Sequence, residues 1–218
     1  MAKAGAPSRP KASGAGRGAT RQTLVQAAIE TLKAEGFTGT SARAIAKRAG
    51  CNQALVFYHF GSVVELLLAA LDEVSARRLE RYSAALAGVS SPLELVAVAT
   101  EVFREDLDNG YVTVLAEMIA GTSATPGLGK EVAARIAPWR DFARHAIDAA
   151  LGESPLGSLA PTAELSYAVV ALYLGLEMLS HLDGDRSQAM ALFDHVSRLA
   201  TLVEGLTTTP STRTAERS

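Results

Sequence analysis

The chain has 218 residues, a formal net charge of −2, 48 % hydrophobic residues and a mean hydropathy of +0.15, which excludes wholesale disorder and leaves room for one large domain or a small one joined to a larger. A single cysteine, Cys51, excludes an intramolecular disulfide and suits a reducing compartment. No stretch offers roughly 18 uninterrupted apolar residues and no apolar segment follows the basic N-terminus, so the sequence predicts a soluble, cytoplasmic protein with no membrane partner.

The charge is uneven along the chain. Residues 1–60 carry nine Lys and Arg against Glu30 and Glu35, and the remainder carries 12 basic against 21 acidic residues. A basic end on an acidic body points to a polyanionic partner at that end. Residues 1–19, rich in Ala, Gly, Ser, Pro, Lys and Arg, predict a flexible basic arm, and 207–218 a disordered polar tail. Between them the apolar spacing is helical throughout, with no sustained period-two alternation.

A first helix is expected from about Thr20 to Glu35, with Leu24, Ala27, Ala28, Thr31 and Leu32 on one face and Gly36 at its C-terminal stop. Thr40 or Ser41 then caps a short helix, Ala42 to Arg48, and Asn52 caps a third, Gln53 to His59 or Phe60. Ser62 to Glu65 has the form of a capping box and opens a longer fourth helix. Further helices are expected from Pro92 to Asp108, Tyr111 to Ala120, Lys130 to Leu151 with a kink at Pro138, Pro161 to about Leu182, and Arg186 to about Leu206. The fold class is all-α, with about nine helices. The expected divisions are an arm over 1–19, a three-helix N-terminal domain over 20–65, a helical domain over 66–206 and a tail over 207–218.

Residues 41–60 hold two short helices joined by a turn of about three residues centred on Gly50, the helix-turn-helix arrangement whose second helix enters the DNA major groove. On that second helix Val56 and Phe60 share a face with Cys51, Ile45 and Ala46, a sensible inward set. Gln53 with Phe57, and Ala54 with Tyr58, fall outside it. Outward-facing rings beside a basic segment suit phosphates and thymine methyls, and the Gln53 amide can bond adenine bidentately. Arg43 can reach guanine or phosphate. Ser41, Lys47, Tyr58 and His59 are expected to position the protein on phosphates. With Asn52, Ala54 and Phe57 these make the candidate DNA-binding set.

The stretch Thr40 to Leu67, "TSARAIAKRAGCNQALVFYHFGSVVELL", resembles the DNA-binding signature of the TetR-type transcriptional regulators. The similarity lies in Ile45-Ala46, Ala49-Gly50, Tyr58-His59-Phe60-Gly61-Ser62 and Glu65-Leu66-Leu67. Two positions depart from it. Val63 stands where the family often has a phosphate-contacting Lys, and Leu55 where relatives often carry a small or hydroxylated residue. The resemblance implies a three-helix DNA-binding domain followed by an all-helical domain that binds a small-molecule effector and forms a homodimer through its last two helices.

That implied pocket has scattered candidates: Phe103, Met118, Trp139, Phe142, His145, Tyr173 and Glu177. The helix Ala163 to Leu182 is apolar almost all round and must be covered on every side, and the last helix adds Met190, Phe193, Val196, Leu199, Leu202 and Val203. No motif calls for a cofactor, a metal site or a catalytic nucleophile; Glu177 and His181 at i,i+4 fit a helix end better than a metal. The expected function is therefore a sequence-specific, ligand-released repressor on a palindromic double-stranded operator. An effector-independent DNA-binding dimer, or a helical carrier or enzyme with an incidental helix-turn-helix, are the alternatives.

Overall fold

The computed structural model describes residues 14–151 and 161–207, and every described element is helical. Nine helices appear among these residues: α1 (Gly14–Gly39), α2 (Ala42–Arg48), α3 (Ala54–Phe60), α4 (Val63–Leu86), α5 (Pro92–Asn109), α6 (Tyr111–Gly121), α7 (Leu128–Leu151), α8 (Thr162–Asp183) and α9 (Ser187–Thr207). The chain divides into two compact units, one reaching Ala70 and the other starting at Leu71.

Most of the expected basic arm, the tail from residue 208 and the Val203 side chain lie outside the described residues. Residues 14–19 differ from expectation, because α1 reaches back to Gly14. Extending an existing helix costs far less than nucleating one, and the Thr20 and Thr23 hydroxyls donate to the carbonyls of Gly16 and Ala19 at 2.9 Å. At the other end Gly36 (φ 69, ψ 178) breaks the helical run, a conformation open essentially to glycine alone.

In the N-terminal unit Leu24, Ala28, Leu32, Ile45 and Val56 are fully buried, joined by Leu66 and Leu67 of α4. Each such aliphatic side chain contributes about 1.5–3 kcal/mol on leaving water. Arg48 ties α2 to α1: its Nε donates to the Thr31 hydroxyl at 3.1 Å and its guanidinium pairs with Glu35 at 3.5 Å. In the C-terminal unit α7 packs on α8 and α5 on α9, with further contacts of α8 to α5 and α6. Phe103 is its central ring, 5.5 Å from Tyr173 and 5.1 Å from Phe193. Helix α7 runs through Pro138 without losing helical geometry.

Helix α8 is inverted relative to a core helix. Its buried residues are Ser166, Glu177 and Ser180, while Leu165, Tyr167, Val169, Leu172, Leu179 and Leu182 are exposed. Its most apolar 18-residue window reaches a mean hydropathy of 1.4, so it is long and apolar enough by composition to cross a membrane even though charged residues interrupt it. The expectation that it is covered on all sides does not hold within one chain: Val170, Leu174 and Leu176 turn toward the cavity beside Tyr173, while Leu165, Leu179 and Leu182 are left exposed.

Candidate nucleic-acid interface and a buried cavity

The turn between α2 and α3 is set by backbone hydrogen bonds. The Cys51 N–H donates to the Ala46 carbonyl at 3.0 Å and the Gly50 N–H to the Lys47 carbonyl at 3.3 Å, the paired bonds of a Schellman stop. Gly50 supplies the left-handed residue it requires, at φ 66. The start of each helix is capped as its sequence predicts: the Ser41 hydroxyl accepts from the Ala44 N–H at 3.2 Å, and Asn52 Oδ1 from the Ala54 N–H at 2.8 Å. Both caps keep donors in hand. Ser41 still has its O–H and Asn52 its amide N–H groups.

These bonds fix how α3 faces. Val56 is buried and anchors the helix, whereas Phe57 is 52 % and Tyr58 67 % exposed, large rings in water with no apolar neighbour to justify them. Arg43, Lys47, Gln53 and Ala54 are exposed on the same two helices, and Gln53 makes no side-chain cap bond, so its amide is unengaged by the helix start. His59 is half-buried, edge-on to Tyr58 at 5.0 Å between ring centroids. Cys51 and Phe60 are half-buried rather than fully inside, because both lie at the rim of the unit; the Arg21 guanidinium lies over the Phe60 ring at 4.9 Å. The structure therefore brings the predicted residues from Ser41 to His59 onto two adjacent short helices with polar and aromatic groups outward. Arg48, engaged by Thr31 and Glu35, is not part of that set.

The C-terminal unit holds a cavity of about 310 Å³ that is partly open to solvent. Its wall includes Trp139, Phe142 and Tyr173 of the residues expected to line a pocket. The other four are placed elsewhere. Phe103, Met118 and Glu177 are fully buried in the packing behind the wall, and His145 is exposed on the outer side of α7.

Sequence reasoning missed the polar group beside this cavity. Asp106, fully buried, accepts from the Tyr82 hydroxyl at Oδ1, and from Arg78 Nη2 and the Tyr173 hydroxyl (2.7 Å) at Oδ2. Arg78 Nη2 also lies 3.4 Å from Glu177 Oε1, while Arg78 Nε and Glu177 Oε2 have no hydrogen-bond partner. The guanidinium carbon sits 4.7 Å from the Trp139 ring centroid, 5.6 Å from Tyr111 and 5.8 Å from Tyr82. Burial, with the Asp106 carboxylate adding to it, raises the Glu177 carboxyl to about 8 against the opposing pull of Arg78. Burial, together with Asp106, likewise pushes the Tyr173 hydroxyl well above the usual phenol range. A signal for this cluster does exist. Leu71, Val74, Arg78 and Tyr82 fall at i, i+3 and i+4 spacings, so a charged residue occupies an apolar register.

Among the described residues no group of three His, Cys, Asp or Glu is placed to hold a metal ion. All-helical, with a capped helix-turn-helix whose second helix turns its polar flank outward, the chain has the architecture of a helix-turn-helix protein. Residues 24–70 match the model for bacterial regulatory proteins of the tetR family. An uncharacterised HTH-type transcriptional regulator of Mycobacterium tuberculosis is 29 % identical over 96 residues, 44 % of this chain and 49 % of that protein. The HTH-type transcriptional regulator BetI of Rhizobium meliloti is 31 % identical over 87 residues, covering 39 % and 43 %. The chain thus spans about half the length of the curated relatives it matches, or less. Likeness of fold extends further. GusR of Salmonella enterica has a TM-score of 0.67 at 21 % identity, over 88 % of this chain and 96 % of that one. FadR of Bacillus subtilis, solved in complex with stearoyl-CoA, has 0.67 at 13 %, over 82 % and 96 %.

Proposed function

We propose that the protein is a transcriptional regulator that reads a palindromic operator as a homodimer and is released by a small effector held in the C-terminal cavity. The observation that carries the reading is the outward flank of α3, where Gln53, Phe57 and Tyr58 stand exposed on a helix anchored by Val56. Gln53 and Arg43 are the base-reading side chains; Ser41, Lys47, Asn52, Tyr58 and His59 hold phosphates, and Ala54 and Phe57 give apolar contact to thymine methyls. The second copy covers the exposed leucines of α8 and α9, among them Leu179, Leu182, Leu199 and Leu202. Two α3 helices then address major-groove turns about 34 Å apart. The effector acts by binding one dimer geometry more tightly than the other. A cytoplasmic, non-enzymatic role follows from acting on chromosomal DNA.

The test is selection of bound duplexes from a random pool at fixed salt. A palindrome with half-sites one helical turn or a multiple apart is the expected product. Recovery of no preferred sequence, or of a single unrepeated site, would refute the operator reading.

A further inference from the structure

The charge balance of the cavity wall restricts what the cavity can hold. Two guanidiniums line it, Arg78 and Arg135. Arg135 is paired with Asp72 at 2.8 Å and Glu131 at 2.9 Å, and Arg78 with Asp106. Neither leaves a cation for an incoming anion to neutralise. No carboxylate lines the cavity among the described residues, since Asp106 and Glu177 lie behind the wall, so an incoming cation finds no counter-charge.

Arg78 already faces two carboxyl groups, Asp106 and, 3.4 Å away, Glu177, and burial together with Asp106 pushes the Glu177 carboxyl toward its neutral form against the pull of the guanidinium. A ligand carboxylate arriving beside the same guanidinium meets the same opposition. A hydrogen-bond acceptor without charge does not. Both carboxyl contacts of Arg78 use Nη2, which leaves the Nη1 end of the fork without a carboxyl partner. The remaining wall is apolar, from Leu95, Val102, Ile136, Phe142 and Leu176 among others. At roughly 30 Å³ for each water- or methylene-sized group, the space admits about ten to twelve of them.

We propose that the cavity takes a neutral, largely apolar molecule of about a dozen non-hydrogen atoms whose one hydrogen-bond acceptor, an ester, ketone or alcohol oxygen, lies against Arg78, and that it discriminates against the carboxylate and ammonium of the same size. This rests on the cavity being the effector site proposed above. The guanidinium serves as a neutral-acceptor reader because its own charge is spent on Asp106, and the Trp139 ring holds it in place.

The experiment uses the full chain and three probes of equal size, methyl nonanoate, decanoate and undecylammonium, titrated by calorimetry at pH 7 below micelle formation. The ester is expected to bind at least tenfold more tightly than either ion. Decanoate or the ammonium binding as tightly as the ester, or no ester binding at all, overturns the proposal. Ala99→Leu, which fills the cavity from α5 without touching the polar cluster, is expected to abolish ester binding; ester binding that survives it places the molecule elsewhere and also overturns the proposal. Release of a selected operator duplex is scored separately. Preferred binding of the ester without release leaves the ligand class standing and refutes the effector reading. Preferred binding of decanoate with release does the reverse.

Discussion

The two units distribute polarity in opposite ways. On α3 the buried residue is aliphatic and the exposed ones are Gln53, Phe57 and Tyr58, each able to meet a partner from outside. On α8 the buried residues are Ser166, Glu177 and Ser180, and the exposed ones are leucines and valines. The first arrangement leaves the fold of its unit independent of the functional side chains: removing Tyr58 or Gln53 strips no core. The second ties the two together, since Arg78, Asp106 and Glu177 hold the helices and also set the chemistry of the cavity wall. Mutations should therefore separate binding from stability in the N-terminal unit and fail to do so around the buried cluster.

The largest effect is expected at Asp106. Asp106→Ala leaves the buried Arg78 guanidinium only the longer 3.4 Å contact with Glu177, and strips the Tyr82 and Tyr173 hydroxyls of their acceptor. Breaking a buried pair on one side costs about 3–5 kcal/mol, a large share of a domain's stability. Thermal unfolding should show Tm falling steeply. The double variant Arg78→Met with Asp106→Asn removes both charges and should recover most of the loss. A single variant as stable as the parent would break the comparison at its strong end.

Next comes the pH profile of Glu177, faced by Arg78, Asp106 and Tyr173. Its folded-state value is raised to about 8, so between the ordinary carboxylate range and that value the native state binds a proton that the unfolded chain has released. Stability must then fall as pH rises through this window, by on the order of 1 kcal/mol per pH unit. Glu177→Gln has no proton to lose. Its Tm should decline less between pH 5 and pH 8, and parallel profiles for the two proteins would exclude the buried proton.

On α3 the effects move from stability to binding. Gln53→Ala is expected to weaken operator affinity by about 1–3 kcal/mol and to relax preference at one adenine, with Tm unchanged. Tyr58→Ala, a phosphate contact, should weaken binding to all duplexes alike and reduce its salt dependence. A loss of Tm comparable to the loss of affinity in either variant would mean that the flank is structural.

How much of this was legible differs between the units for a physical reason. The helix-turn-helix is local. Ser41, Gly50, Asn52 and Ser62 act on backbone groups within five residues, so spacing alone places the caps and the turn, and the 3.6-residue period sorts Val56 from Phe57. The buried cluster is assembled from residues 28 and 99 positions apart, Arg78 with Asp106 and with Glu177, and no period connects them. Of the scattered pocket candidates Trp139, Phe142 and Tyr173 line the cavity, whereas Phe103 and Met118 fill the core behind it. At α8 hydropathy does not distinguish, because an exposed apolar surface and an apolar core read alike in a sequence.

The smallest effect sharpens the comparison most, through two glycines in the same backbone state. Gly50 (φ 66) lies in the α2–α3 turn and Gly88 (φ 93) in the loop after α4, and a Cβ at either would meet nothing within 4 Å. Alanine at each position therefore costs only the left-handed backbone strain, about 1–2 kcal/mol. The two variants should lose similar amounts of Tm. Only Gly50→Ala should also change operator affinity, because the Schellman bonds of Cys51 and Gly50 fix how α3 leaves α2. Equal loss of affinity in both would mean that DNA binding follows global stability and not the aim of α3, and would remove the distinction between the units drawn above.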